Sequence, residues 1–186
     1  MIPYRQEKIQ NAVAFFSERF LKKTKRPLPQ TCLYKFLALL DFTSIKETGI
    51  PVLGLEYEAM ERGPVPIEIY NNKSETPKYK FQKRKFGDWD GEAVFPKGRP
   101  DLNYFSDYEL DLMGRFIEIY AQAWVTTSIM SECSHEQILA WRRTYSKKKR
   151  RLINYALEFE GDIFSKTIEE LTFPEEAYLT YKALSG

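Results

Sequence analysis

Between residues 9 and 20 the apolar side chains Ile9, Ala12, Val13, Phe16 and Phe20 recur at steps of three and four. That spacing lines one face of an α-helix and cannot line one face of a strand. The rhythm returns at Leu33, Phe36, Leu37 and Leu40, and again at Leu110, Met113, Ile117, Tyr120 and Trp124. Stripes of this kind must be buried against one another, so the chain is expected to be mainly α: a single-domain helical bundle over residues 1–186, with a small β-hairpin or short sheet. With 43% hydrophobic and 15% aromatic residues among 186, there is enough apolar surface for one core.

Punctuation residues set the expected boundaries. The first helix covers residues 4–23, opening near Pro3 and carrying Lys22, Lys23, Lys25 and Arg26 at its carboxyl end, before Pro27 and Pro29 stop it. Thr31 is the expected N-cap of the second helix, which Gly49 and Pro51 close. Alternation over 53–61 predicts a short strand. After it comes Gly63-Pro64-Val65-Pro66, which predicts a turn at 63–65 and a short helix begun by Pro66, with Glu68 in its first turn and Ile67 and Tyr70 on its inner face. Residues 71–77 suit a loop. The stretch 79–86 suits a basic, aromatic strand that pairs as a hairpin with a short strand near Ala93–Phe95.

Further along, Ser106 and Glu109 have capping-box spacing ahead of a helix that runs to Trp124. Thr126 or Thr127 is expected to cap a short helix through Met130, and Ser134 with Gln137 to form a second capping box before Ile138, Trp141 and Tyr145. Leu152, Tyr155, Ala156 and Phe159, then Ile163, Ile168 and Leu171, suggest a pair of helices, and Pro174 a last turn or short helix.

Several function classes receive no support. No apolar run approaches the ~20 residues that span a bilayer, and the amino terminus lacks a secretory apolar region, so a soluble cytoplasmic protein without membrane partners is expected. Cys32 and Cys133 lie far apart and fit free thiols in a reducing compartment. With one histidine and two separated cysteines, neither a zinc site nor any other metal or cofactor is expected. Glycine-rich phosphate loops and the nucleophile elbow are absent. Cys133 and His135 are the one pair that suggests a nucleophile beside a base, but two residues apart at a helix start they diverge.

The balance of 28 basic and 26 acidic residues gives a formal charge of +2, so polyanion binding would need a local patch. Two patches exist. Residues 78–85 interleave Tyr79 and Phe81 with cations including Lys80 and Arg84, and residues 142–151 include Arg143, Lys148 and Arg150. Together they define an alternative function, a nucleic-acid-binding regulator. The first is equally a charged edge strand that avoids aggregation, and the second equally a solvated helix face.

Four segments, LYKFLALLDF at 33–42, LEYEAMERGPVPIEIY at 55–70, FSDYELDLMGRFIEIY at 105–120 and SHEQILAW at 134–141, together resemble the Panacea domain of SocA-like antitoxins from bacterial and phage toxin–antitoxin systems. The resemblance spans about residues 31–145. It leaves the helix at 4–23 as an amino-terminal addition and 146–186 as a charged helical carboxyl-terminal extension. It implies a non-enzymatic protein that neutralises a cognate toxin by direct binding, or as an adaptor that delivers it to a ClpXP-type protease; a homo-oligomer is also open. By motif, the partner-binding residues it implies are Arg62, Pro64, Val65, Tyr70, His135 and Trp141. Gly63 and the prolines also serve backbone geometry alone, Trp141 also suits a core, and His135 also suits local hydrogen bonding.

Overall fold

Helix α1 (Arg5–Thr24) forms where the first stripe predicts it, burying Ile9, Ala12, Val13, Phe16 and Phe20. The protein is seen in a computed structural model that describes residues 2–73, 75–87, 89–147 and 150–185. Strand β1 (Leu28–Pro29) leads straight into α2 (Gln30–Thr48). Pro29 therefore occupies the N-cap position in extended geometry, and Thr31, the expected cap, lies inside the helix. The proline's fixed φ suits the end of a strand and leaves no room for a separate capping turn.

Helix α2 departs most from its predicted amphipathic form. Every residue from Cys32 to Phe42 is buried, including Lys35 and Asp41. A helix apolar on nearly all sides belongs in the middle of a fold, and α2 is contacted by α1 and by elements from the whole of the remaining chain.

Strand β2 (Tyr57–Met60) pairs antiparallel with β3 (Gly63–Pro66), and α3 (Ile67–Asn71) follows. The expected turn at 63–65 is thus a strand, and the turn sits at Glu61-Arg62 instead. The reason lies in the two-residue period of a ladder. Ala59 and Tyr57 direct their backbone groups to the other side of β2, where Ala59 N donates to the Arg151 carbonyl (2.8 Å) and Ile153 N to the Tyr57 carbonyl (2.8 Å). Their partners across the hairpin, Pro64 and Pro66, stand at positions where no donor is needed. On α3 it is Ile69 that is buried, while Tyr70 is 45% exposed, against the expected inner face of Ile67 and Tyr70.

The second hairpin forms where expected, but its second strand extends beyond Ala93–Phe95: β4 (Tyr79–Phe86) pairs antiparallel with β5 (Trp89–Pro96), and β1 pairs with the far side of β5, giving the order β1-β5-β4. Helix α4 (Asp107–Tyr120) begins with the predicted capping box of Ser106 and Glu109. It ends at Tyr120, so Trp124 leaves the stripe and is 68% exposed; Arg26 donates to the Ala123 carbonyl in the loop beyond.

Helix α5 (Thr127–Gln137), capped by Thr126, runs on past Met130. Ser134 is therefore not an N-cap: it is buried within α5, and its hydroxyl donates to the Ser131 carbonyl. The break falls at Ile138, after which α6 (Leu139–Lys147) starts with its free amides facing the buried Glu158 carboxylate, which accepts from Ala140 N at 2.9 Å. The expected helices over 152–171 are single 3-10 turns at Tyr155–Glu158 and Ile168–Glu170. Residues 150–153 bond to β2 along one edge, entering from Arg150 in the left-handed region (φ 56°) and running alongside Glu58 at Leu152. Finally α7 (Phe173–Ser185), longer than the expected last turn, packs against α2. The protein is mainly helical with a minor antiparallel β component.

Candidate functional site

The β2–β3 hairpin lies over α2 and is held at both ends by side chains from other elements. At its base, the buried Asp41 carboxylate accepts from Leu53 N (2.6 Å), Leu55 N (3.1 Å), and the hydroxyls of Tyr57 and Tyr155 (both 3.1 Å). Burial raises the proton affinity of this carboxyl, and its donors counter that.

Near the tip, Lys35 Nζ donates to the Pro64 carbonyl at 3.2 Å. The residue is 1% exposed, and burial pushes its amine down to about 7 against the opposing pull of the nearby Cys32 thiol. Gly63, with φ +102°, lies directly on this amine: a Cβ there would come within 2.8 Å of both Lys35 Nζ and Ser134 Oγ.

Trp141 completes the clasp from α6. Its indole donates to the Met60 carbonyl at 3.1 Å, and it is sandwiched between His135 (centroids 3.9 Å apart, planes within 4°) and Tyr145 (4.9 Å, 14°). Burial, and then the nearby Lys35 charge, lower the proton affinity of His135, while the Arg62 backbone favours the protonated ring. His135 Nε2 is buried with no hydrogen-bond partner among the described residues.

Of the expected partner-binding residues, Pro64, Val65, His135 and Trp141 therefore converge around the hairpin, with Pro64, Val65 and Trp141 buried. Arg62 is exposed at the tip and, with Glu61 and His135, borders a cleft of about 840 Å³ that continues to Phe86 and Glu132. Tyr70 stays apart, edge-on to Tyr34 at 6.4 Å with Lys73 over its ring. Sequence reasoning passed over Lys35 and Asp41 and gave Ser134 only a capping role. The available signal was a lysine and an aspartate inside an otherwise apolar helix, where each must find polar partners.

The two basic patches are less available than their composition suggests. Tyr79 is buried and Phe81 packs against the core, so neither ring is free to stack on a base. Arg143 donates to the Leu157 and Phe159 carbonyls. Arg84 and Arg150 are exposed, Lys80 is half-buried, and Lys148 falls outside the described residues.

Cys133 and His135 share no hydrogen bond among the described residues, and burial followed by Glu136 and Glu132 pushes the Cys133 thiol up, away from a reactive thiolate. No group of three or more histidine, cysteine, aspartate or glutamate side chains could hold a metal ion among the described residues. No helix among them is long and apolar enough to cross a membrane.

Residues 33–142 match the family described as antitoxin SocA-like, Panacea domain. The chain belongs to this family. Lys35, the β2–β3 hairpin, Ser134, His135 and Trp141 all fall within the matched span, so the clasp is built from Panacea-domain residues. No curated protein and no solved structure matches the chain.

Proposed function

We propose that this chain is the non-enzymatic antitoxin of a toxin–antitoxin pair and neutralises its cognate toxin by direct contact. The observation that carries it is membership of the SocA-like antitoxin family over residues 33–142. The clasped hairpin supports it physically. A tip held by Lys35 and Trp141 loses little conformational entropy on binding, and preorganisation of this kind strengthens an interface without adding contact area. The contact surface we assign is Arg62 at the tip and the rim of the adjoining cleft beside His135, with Pro64, Val65 and Trp141 as its rigid support rather than as contacts. Delivery of the toxin to a ClpXP-type protease is the second mode in which the same surface would serve.

Co-expression with the toxin tests the assignment. Rescue of growth and a complex that survives co-purification are expected, and Arg62→Glu is expected to weaken both while leaving the thermal unfolding transition in place. No rescue and no complex with the intact chain would refute it. Unchanged toxin levels during rescue would select blocking, and toxin loss that depends on the protease would select delivery.

A further inference from the structure

We propose that the outer edge of β4 is a strand-addition site for an extended, acidic segment of the partner protein. The proposal rests on the reading that this chain acts by binding another protein, but uses a surface separate from the Arg62 tip.

Among the described residues β5 alone pairs with β4, so β4 is an edge strand. Its backbone direction can be read from Tyr79, whose N–H donates to Thr76 Oγ1 (3.0 Å) and whose carbonyl accepts from Thr76 N (2.9 Å), both away from β5. Ladder groups alternate with a period of two, so Phe81, Lys83 and Lys85 turn their N–H and C=O groups to the same outer side. Among the described residues none of these six groups has a backbone partner. An open edge of this kind is a template for another strand.

The side chains decide what kind. Lys80, Lys83, Arg84 and Lys85 give the strand four cations and no acid, and Gln82 to Lys85 are all exposed. Across the ladder stand Glu92, opposite Lys83 and held by Lys73, and Asp90, opposite Lys85; among the described residues neither makes a salt bridge to the lysine it faces. A second copy of β4 laid on this edge would set cation against cation, which disfavours self-pairing. An acidic strand meets the reverse: main-chain hydrogen bonds supply affinity, and carboxylates on either face reach Lys83 and Lys85, or Lys80 and Arg84. Nucleic acid fits less well. Tyr79 and Phe81 face inward, and what the edge offers is a row of alternating donors and acceptors.

The test uses the full chain and a capped peptide of four Glu-Val repeats, read by amide hydrogen exchange. At saturating peptide, exchange at Lys83 and Lys85 should slow by about tenfold or more, while Gln82 and Arg84, already inside the β4–β5 ladder, stay unchanged. Four Lys-Val repeats should have no effect. Lys83→Pro removes one outward donor without touching the ladder and should abolish the protection; if that variant does not fold, the double substitution Lys83→Glu with Lys85→Glu should exchange the preference to the Lys-Val peptide. No slowing, equal slowing by both peptides, or slowing that persists in the variant would overturn the proposal, as would salt-sensitive binding of oligothymidine to this edge in place of the acidic peptide. Toxin rescue that survives Lys83→Pro, together with no peptide protection, would sink this inference and leave the antitoxin reading standing. Peptide protection without any rescue by the intact chain would do the opposite.

Discussion

The two hairpins of this protein are made of the same ladder and finished in contrary ways. In β2–β3 the outer strand carries Pro64 and Pro66, which offer no donor, and the Pro64 carbonyl is taken by Lys35. The inner strand bonds on its far side to residues 150–153. In β4–β5 the outer strand leaves the backbone of Phe81, Lys83 and Lys85 open beneath a row of exposed cations. A closed edge surrounded by buried polar groups belongs to a rigid support, and an open edge guarded by charge belongs to a surface that selects what may pair with it.

Substituting one positive-φ glycine in each hairpin should separate them most widely. Gly63→Val forces a branched side chain into φ +102° and onto Lys35 Nζ and Ser134 Oγ, and is expected to cost about 3 kcal/mol or more in urea denaturation. Gly87→Ala, at φ +62° with nothing within 4 Å of the added carbon, should cost only about 1 kcal/mol. Equal losses would mean that β2–β3 is no more tightly enclosed than its neighbour.

The next largest effect is electrostatic. The Lys35 amine is depressed to about 7 in the folded protein, from an ordinary value of 10.5, so the unfolded chain binds more protons between those values. Stability should therefore rise with pH across this window, by about 2–3 kcal/mol between pH 6 and pH 9. Lys35→Met should remove that part of the slope and be more stable than the parent at pH 6. A slope that persists in the variant would assign the pH response elsewhere.

Trp141→Phe keeps the stacked ring and removes the indole donor, leaving the Met60 carbonyl without it, at a cost of about 1–2 kcal/mol by thermal unfolding. The smallest change belongs to the open edge: Lys83→Glu, exposed and without a salt bridge among the described residues, should alter stability by less than about 0.5 kcal/mol. A large loss there would show that β4 is held by its charges rather than left free by them.

Much of the fold was legible because period and punctuation act locally. The α1 stripe, the Ser106–Glu109 capping box and the basic strand 79–86 formed as read, the last in a hairpin whose second strand is longer than expected. The misses share a cause. Ser134 has capping-box spacing with Gln137, yet it sits inside α5, where a small side chain is needed beneath Gly63. Leu152, Tyr155, Ala156 and Phe159 have helical spacing, yet residues 151–153 are drawn out along β2. In each case a partner distant in sequence outweighed a local preference worth a few tenths of a kcal/mol per residue.

The candidate site divides along the same line. By itself the sequence determined that prolines, a histidine and a tryptophan mark special positions, because such residues restrict the backbone or demand partners wherever they stand. Only the tertiary structure decided that Trp141 reaches the Met60 carbonyl, that Lys35 lies buried under Gly63, and that Tyr70 stands apart. Those outcomes depend on which elements α2 brings within hydrogen-bonding distance. That distance is set by how the whole core packs, a quantity no local pattern encodes.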